Sequence, residues 1–296
     1  MCATCGCSEG AKATVTNLAT GEKILIADHH HLHVHGNDHH HHDHDHDHDH
    51  DHDRDHDHEH HVHEHGTPAT VTLEQAVLQK NNALAVRNRA WFEGREILAL
   101  NLVSSPGAGK TTLLERTIRD LKDRHAFFVI EGDQATTHDG ERIHTAGAPV
   151  VQINTGSGCH LDADMVAGGV GELKPAVGSV VMIENVGNLI CPALFDLGER
   201  TKVAILSVTE GEDKPLKYPH MFQASQVVLL NKIDLLPHLE FDLDRCIANA
   251  RKVNSKIEVI QVSATTGEGL KSWYEWIHAE WQRVRDQAYG SAEQRM

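Results

Sequence analysis

The chain has 296 residues and a formal net charge of −16, and its composition is very uneven along its length. Twenty of its 27 histidines lie between Asp28 and His65, together with 12 acidic residues and one basic residue, Arg54. The remaining sequence is mildly acidic and has no basic patch, which excludes the electrostatic footprint of a nucleic-acid-binding protein. No apolar run approaches the ~20 residues of a membrane helix, so we expect no membrane span.

The first seven residues contain three closely spaced cysteines. They lack the basic and apolar segments of a secretory signal, so we expect a cytoplasmic protein. Six cysteines are too few for a disulfide scaffold in a chain of this length, and clustered thiols in a reducing compartment more often bind metal or do redox work. We therefore interpret Cys2, Cys5 and Cys7 as ligands that can chelate one soft or borderline metal ion. The alternative is three incidental cysteines.

From about Ala27 to Gly66 the sequence is a repeat of histidine and aspartate with very few apolar side chains. Such a segment buries too little surface to offset the entropy cost of ordering it, so the composition predicts disorder. Its many imidazoles are good ligands for Ni²⁺, Zn²⁺ and Cu²⁺, which favours a metal reservoir over an expression tag. We expect residues 1–70 to form a metal-binding N-terminal region and residues 71–296 to form one domain.

Order is expected to begin with a helix from Thr70 or Thr72 to about Arg95. Beyond it, short apolar runs alternate with stretches of helical period, which predicts repeated βα units. The predicted strands are 97–103, 126–130, 150–153, 180–183, 203–208, 227–230 and 257–262. The predicted helices between and after them are 111–122, 143–147, 241–253 and 270–284. The expected fold class is α/β, with a mainly parallel sheet flanked by helices.

The first predicted strand leads into Ser-Ser-Pro-Gly-Ala-Gly-Lys-Thr at 104–111, followed by a helix. Strand, glycine-rich turn and helix N-terminus together are typical of a phosphate-binding loop, although Ser104 replaces the usual first glycine. An ordinary strand-to-helix connection is the alternative. Lys110 is expected to reach the β and γ phosphates, and the Thr111 hydroxyl to bind Mg²⁺. The predicted phosphate-binding residues are Gly107, Ala108, Gly109, Lys110, Thr111 and Thr112.

A second motif, Asn231-Lys232-Ile233-Asp234, follows the predicted strand 227–230. The Asp234 carboxylate can accept two hydrogen bonds from the ring N–H and amino group of guanine, a pair of donors that adenine lacks. Lys232 can lie along the base and Asn231 can hold the loop. Ser263 and Ala264, after the last strand, resemble the further guanine-contacting loop of GTPases. A plain surface turn is the alternative for the Asn-Lys-x-Asp motif.

Two acidic residues end strands of the predicted sheet. Asp133 is a candidate for binding Mg²⁺ or for orienting the attacking water. Glu184 begins Glu184-Asn185-Val186-Gly187, where GTPases normally have Asp-x-x-Gly and the glycine amide senses the γ-phosphate, so any metal contact of Glu184 is expected to run through water. Lys110, Asp133, Glu184 and Gly187 are the predicted catalytic residues. Solvated strand ends are the alternative reading of both acids.

A second candidate metal site lies later in the chain. Cys159 and His160 sit in a glycine-rich loop, and Cys191 follows Gly187 by four residues. Two sulfurs and an imidazole form an incomplete tetrahedral set, which suits a site for metal transfer or one shared between two chains. A Cys-His pair without metal is the alternative, and Cys246 is expected to be a core residue.

Together these motifs closely resemble the HypB family of hydrogenase maturation GTPases, over residues 1–7 and about 72–270. The resemblance implies a dimerising P-loop GTPase related to urease accessory GTPases, with GTP/GDP, Mg²⁺, Ni²⁺ and Zn²⁺ as ligands. It also implies a high-affinity nickel site at Cys2, Cys5 and Cys7, and a nickel or zinc site at Cys159, His160 and Cys191 near the dimer interface. The implied destination is the active centre of a nickel-iron hydrogenase, reached with a maturation partner protein and the hydrogenase large subunit.

Three other functions fit parts of the sequence. A metal-storage protein with a vestigial or regulatory nucleotide-binding domain would make the histidine tract the functional part. A urease-type nickel GTPase would share the nucleotide motifs but not the terminal cysteines. A P-loop small-molecule kinase would leave the Asn-Lys-x-Asp motif without a purpose.

Overall fold

The computed structural model of the chain describes residues 13–26, 68–133, 138–156 and 158–293. Within these ranges the strands belong to one nine-stranded sheet. They are β1 (Thr14–Asn17), β2 (Lys23–Leu25), β3 (Leu98–Ser104), β4 (Phe127–Asp133), β5 (Val150–Asn154), β6 (Val180–Glu184), β7 (Thr201–Ser207), β8 (Val227–Asn231) and β9 (Glu258–Gln261).

The order of strands across the sheet is β2-β1-β5-β4-β6-β3-β7-β8-β9. Across the sheet, every pair of neighbouring strands in the part β5-β4-β6-β3-β7-β8-β9 is parallel. β1 pairs antiparallel with both β2 and β5, so a hairpin extends one edge of the sheet. The prediction of a mainly parallel sheet flanked by helices is therefore confirmed, and the hairpin is an addition that the sequence patterns did not predict.

Helices cover both faces of this sheet. They are α1 (Pro68–Glu93), α2 (Lys110–Leu121), α3 (His138–Ala146), α4 (Ala163–Leu173), α5 (Cys191–Leu194), α6 (Lys214–Lys217), α7 (Pro219–Ala224), α8 (Leu243–Val253) and α9 (Leu270–Glu293). Two 3₁₀ segments, Val208–Glu210 and Ile233–His238, follow β7 and β8. In the described ranges no helix is both long and apolar enough to cross a membrane.

The central strands are buried on both faces, as parallel strands between helical layers normally are. Alternate residues of β3 point into different cores. Leu98 and Leu100 pack with α2, α3 and α9, where Trp273 is fully buried. Ala99 packs on the other face with α1 and α4. The continuous apolar runs of the sequence thus fill two layers of core.

The carboxyl ends of the parallel strands meet at one edge of the sheet, where open α/β sheets bind ligands. There β3 ends at Ser104, β4 at Asp133, β6 at Glu184 and β8 at Asn231. Each of these strand ends was singled out by a sequence motif. The topology therefore gathers motifs that are far apart in the sequence.

Candidate functional site

The loop between β3 and α2 forms a tight cradle. Gly107 and Gly109 have positive φ angles of 76° and 91°, which favour glycine. A Cβ on Gly109 would also lie 2.6 Å from the Asn231 amide nitrogen. The loop and the ends of β4 and β6 line a cavity of about 580 Å³, which is large enough for a small ligand.

Two of the charged groups in this cavity are largely buried and lie close together. Lys110 Nζ lies 3.5 Å from Oε1 of Glu184, and the two side chains are only 12% and 2% exposed. The Thr111 hydroxyl donates a hydrogen bond of 2.7 Å to the same carboxylate oxygen. The side chains of Lys110, Thr111 and Glu184 thus meet at the N-terminus of α2.

Two buried carboxylate oxygens in this region have no hydrogen-bond partner among the described residues, Oε2 of Glu184 and Oε2 of Glu131. Burial, followed by the nearby charges of Glu184 and Asp133, raises the pKa of Glu131 to about 9. Buried polar atoms normally have a hydrogen-bond or metal partner. A divalent cation bound here would supply that partner for both oxygens. Asp133, at the end of β4, lines the same cavity.

The Asn231-Lys232 motif contacts the glycine-rich loop directly. Asn231 Nδ2 donates to the carbonyl of Ala108 at 2.9 Å, and Lys232 Nζ donates to the carbonyl of Gly107 at 2.7 Å. Asn231 Oδ1 accepts a hydrogen bond from the Ala264 amide at 3.2 Å. One asparagine thereby joins three loops that lie more than 120 and 30 residues apart in the sequence.

Asp234 lies in the 3₁₀ segment after β8 and is partly exposed. Ser263 is fully buried, and its hydroxyl accepts a hydrogen bond from the Thr266 amide at 3.1 Å. Ser263 is therefore held within its own loop, and its neighbour Ala264 makes the contact to Asn231.

Gly187 follows β6 and lies against the glycine-rich loop. A Cβ at this position would meet Pro106 at 3.1–3.2 Å, including its backbone nitrogen. The segment after β6 is therefore a direct neighbour of the glycine-rich loop.

Cys159, His160 and Cys191 form a cluster whose candidate ligand atoms all lie within 4.8 Å of one another. The sulfurs of Cys159 and Cys191 are 3.1 Å apart, longer than the ~2.05 Å of a disulfide. The ring of His160 packs on Phe195 with a centroid distance of 3.9 Å. Burial lowers the pKa of His160 to about 4, which keeps its imidazole neutral, the form that binds metal.

Asparagine side chains hold the loops that carry this cluster. Asn185 Oδ1 accepts hydrogen bonds from the amides of Leu161 and Val186 at 3.1 and 3.0 Å. Asn188 Nδ2 donates to the carbonyl of Cys159 at 3.3 Å. The segment from Glu184 to Cys191 therefore borders the glycine-rich loop at one end and the cluster at the other.

Comparisons with known proteins agree with this geometry. A family model described as "CobW/HypB/UreG, nucleotide-binding domain" matches residues 98–261. HypB from Escherichia coli K12 is 59% identical over 208 residues, covering 70% of this chain and 72% of the relative. HypB from Azotobacter vinelandii is 61% identical over 208 residues, covering 70% and 69%. This chain belongs to the HypB family.

A solved HypB structure has the same fold. The crystal structure of HypB from Helicobacter pylori in complex with nickel superposes with a TM-score of 0.66 at 34% identity. The match covers 69% of this chain and 96% of that one.

Several side chains at this HypB-family site were not predicted from the sequence motifs. Arg142, on α3, lines the cavity and contacts the Thr112 hydroxyl at 3.2 Å, and no sequence signal distinguishes it from other helix arginines. Glu210 accepts a hydrogen bond from the Ser105 hydroxyl and completes a capping box with Ser207. The Ser-x-x-Glu spacing of that box was a usable signal.

Some predicted residues are outside the described part of this HypB-family chain. Cys2, Cys5 and Cys7 fall there, as does the histidine tract. Their roles remain predictions. Cys246, expected in the core, is buried on α8.

Proposed function

We propose that this protein is a GTP-hydrolysing nickel metallochaperone that delivers nickel for assembly of the nickel-iron hydrogenase active site. One observation carries the proposal: the segment from Glu184 to Cys191 lines the cavity at the glycine-rich loop and also supplies Cys191 to the cluster with Cys159 and His160. A nucleotide-driven change at one end can therefore act on metal held at the other.

In the proposed nucleotide site, the amides around Gly107 and Gly109 and the Lys110 ammonium hold the phosphates at the N-terminus of α2. Asp234 selects guanine by accepting hydrogen bonds from its two N–H donors. Lys232 lies beside the glycine-rich loop, and Asn231 fixes the loop through Ala108 and Ala264.

The buried oxygens of Glu184 and Glu131 and the Thr111 hydroxyl fit a resident Mg²⁺. Thr111 and Glu184 would hold the ion, directly or through water. Asp133, which lines the same cavity, would bind the ion or orient the attacking water. When bound, Mg²⁺ neutralises phosphate charge. The Gly187 amide is proposed to sense the γ-phosphate, and the close approach of Gly187 to Pro106 of the glycine-rich loop supports this role.

The proposed cargo site is Cys159, His160 and Cys191. Two thiolates and a neutral imidazole suit Ni²⁺ or Zn²⁺, and three protein ligands leave a position open for exchange. Cys2, Cys5 and Cys7 are proposed as a separate nickel site in the N-terminal region, residues 1–70, with residues 71–296 as the GTPase domain.

Partner binding is proposed next to the cargo site. Ile190 and Leu194 are 61% and 51% exposed on either side of Cys191, and exposed apolar side chains beside a metal site favour a protein contact. By family resemblance the partners are a second copy of this chain in a GTP-dependent homodimer, a maturation protein and the hydrogenase large subunit, all in the cytoplasm.

The test is a measurement of nickel stoichiometry and of GTP and ATP turnover in the purified protein. We expect GTP to be hydrolysed in preference to ATP, Lys110→Ala to abolish turnover without loss of nickel, and Cys191→Ala to lower nickel stoichiometry. Nickel binding with no GTP turnover would instead support a storage protein.

A further inference from the structure

A buried ion pair lies next to the loop that follows Cys191. Lys202 is on β7 and Glu199 is two residues before that strand, and they are only 6% and 7% exposed. Lys202 Nζ lies 3.6 Å from Oε1 of Glu199. A buried ion pair is often no more stabilising than well-packed apolar side chains of similar size. The contacts of this pair point to a role beyond stability.

Lys202 holds the loop that starts at Cys191. Its Nζ donates to the carbonyl of Pro192 at 2.6 Å and to the carbonyl of Phe195 at 3.0 Å. Pro192 directly follows Cys191 in the sequence. The Phe195 ring packs on His160 with a centroid distance of 3.9 Å. One ammonium group thus holds the backbone next to one cluster residue and the backbone of the residue that packs on another.

Glu199 connects the same ion pair to the other loop of the cluster. Its Oε1 accepts a hydrogen bond of 3.0 Å from Nδ2 of Asn101 on β3. Asn101 Oδ1 accepts from Nδ2 of Asn185 at 3.3 Å, and Asn185 Oδ1 accepts from the Leu161 amide at 3.1 Å. Both asparagines are fully buried, and Leu161 directly follows His160. The ion pair is therefore joined to the backbone on the other side of the cluster.

This chain of buried contacts links the two loops that carry the cluster. It runs from Pro192 through the ion pair to Leu161, so it spans between the backbone beside Cys191 and the backbone beside His160. Groups behind metal ligands orient those ligands, and their loss typically lowers metal affinity about 10- to 100-fold.

We infer that Lys202 and Glu199 are positioning residues of the metal cluster. The inference rests on the proposed function and adds to it the groups that set the geometry of the cargo site. Lys202 sets the backbone of the Cys191 loop, and Glu199 ties that loop to the backbone after His160. Ligand geometry decides the affinity and the electronic spectrum of a metal site, so loss of the ion pair should change both.

The test uses full-length protein in which Cys2, Cys5 and Cys7 are alanine, so that nickel-thiolate absorption reports the cluster. The variant is Lys202→Met/Glu199→Gln in this parent protein. Both charges are removed together because Lys202→Met alone would leave Glu199 buried without its counter-ion. Nickel affinity is measured by competition with a chelator, GDP affinity by titration without nickel, and stability by thermal melting.

We expect the double variant to bind nickel about 10- to 100-fold more weakly than the parent and to show a shifted nickel-thiolate band at saturating nickel. Its affinity for GDP should stay within about twofold, because the phosphate-binding loop keeps its own contacts to Asn231 and Lys232. Parent-like nickel affinity and absorption would overturn the inference and leave the proposed function intact. A parent protein without nickel-thiolate absorption would count against both.

Asn254→Ala is the matched control for a general loss of stability. Asn254 Nδ2 also donates to two backbone carbonyls, those of Phe222 and Ser225, at 3.1 and 2.9 Å. This variant should keep the nickel affinity and the absorption band of the parent even if its melting temperature falls as far as that of the double variant. Equal losses of nickel affinity in the two proteins would overturn the inference.

Phe195→Leu tests the path to His160 and decides the question if the double variant does not bind GDP. Leucine keeps an apolar side chain and the carbonyl that Lys202 contacts, but it removes the ring that packs on His160. Nickel affinity should fall about tenfold, the lower end of the range for lost outer contacts, with unchanged GDP affinity. Parent-like nickel affinity in this variant would overturn the inference.

Discussion

Gly187 lies so close to Pro106 that a side chain between them would have to displace the backbone of the glycine-rich loop, because a Cβ on Gly187 would stand 3.2 Å from the Pro106 nitrogen. Gly187 also begins the path toward Cys191. Through this contact the glycine-rich loop packs directly against the segment that leads from Gly187 to Cys191.

Gly187→Ala should therefore impair nucleotide turnover. Forcing a methyl group into a packed contact costs about 1–3 kcal/mol, which corresponds to a roughly 5- to 150-fold loss in GTP turnover or affinity. Steady-state hydrolysis and GDP titration would measure it. Gly171→Ala is the matched control, since a Cβ there meets nothing within 4 Å, and equal effects of the two changes would contradict the prediction.

Asp234→Asn should weaken GTP binding at least tenfold, because the amide presents donors where guanine also presents donors. Hydrogen bonds to charged groups contribute about 1.5–3 kcal/mol each. Xanthine carries an oxygen in place of the guanine amino group, so the variant should gain affinity for xanthosine triphosphate. Competition titration checks both, with Asp244→Asn on α8 as the control. Unchanged GTP affinity would argue against the guanine assignment.

The sequence predicted the strand, glycine-rich turn and helix around residues 104–111 correctly because their determinants are local. The loop from Ser104 to Thr111 is a short strand-turn-helix unit whose glycines set the backbone, and the strand before it is apolar except for Asn101. The carboxyl ends of the parallel strands bring this loop beside Asp133 and Glu184. Nothing in the sequence distinguished the buried Glu131 from an exposed acid, because its raised pKa arises from tertiary burial.

The elements that the sequence did not predict depend on tertiary contacts. α4 contains three glycines, which lower its intrinsic helix propensity. It forms because Asp162 accepts a hydrogen bond from the Met165 amide at 2.8 Å and because its apolar face packs in the core. β1 has only one buried side chain, Val15, and is stabilised by its pairing with β5.

His125 should make the folded protein sensitive to acid. It is 5% exposed, and its Nδ1 has no partner among the described residues. Burial, and then the nearby His278 and Arg124, lower the pKa of His125 below its ordinary value of 6.5. Below pH 6.5 the His125 imidazole is protonated in the unfolded chain but stays neutral in the folded chain. The free energy of unfolding therefore falls as the pH falls toward the folded-state pKa.

Melting temperatures between pH 7.5 and 5 test this point. His125→Leu should show a smaller loss on acidification than wild type, whatever its stability at pH 7.5. His144→Leu, on the exposed side of α3, should follow the wild-type curve. A His125→Leu curve parallel to wild type would exclude His125 as a source of acid sensitivity.

The nucleotide that is bound should change the nickel affinity of the cluster of Cys159, His160 and Cys191. We expect the segment from Glu184 to Cys191 to couple the two sites. Glu184 contacts Thr111 at one end, and Asn188 holds the Cys159 carbonyl near the other. If Gly187 moves toward the γ-phosphate when GTP is bound, Cys191 cannot keep the same position relative to Cys159. A tetrahedral site tolerates only small errors in ligand distance, so a shift near ~1 Å is enough to loosen the metal.

The expected size of this coupling is about 1–3 kcal/mol, a 5- to 150-fold difference in nickel affinity between the GDP form and the form with a non-hydrolysable GTP analogue. Full-length protein with Cys2, Cys5 and Cys7 changed to alanine isolates the cluster, and nickel-thiolate absorption reports it without interference from histidines. Coupling is reciprocal, so nickel must change the relative affinity for the two nucleotides by the same factor. Asn188→Ala should reduce both effects together, because it releases the Cys159 loop. Equal nickel affinities in the two nucleotide states, with Cys191→Ala shown to remove the absorption, would mean that hydrolysis does not control metal release from this cluster.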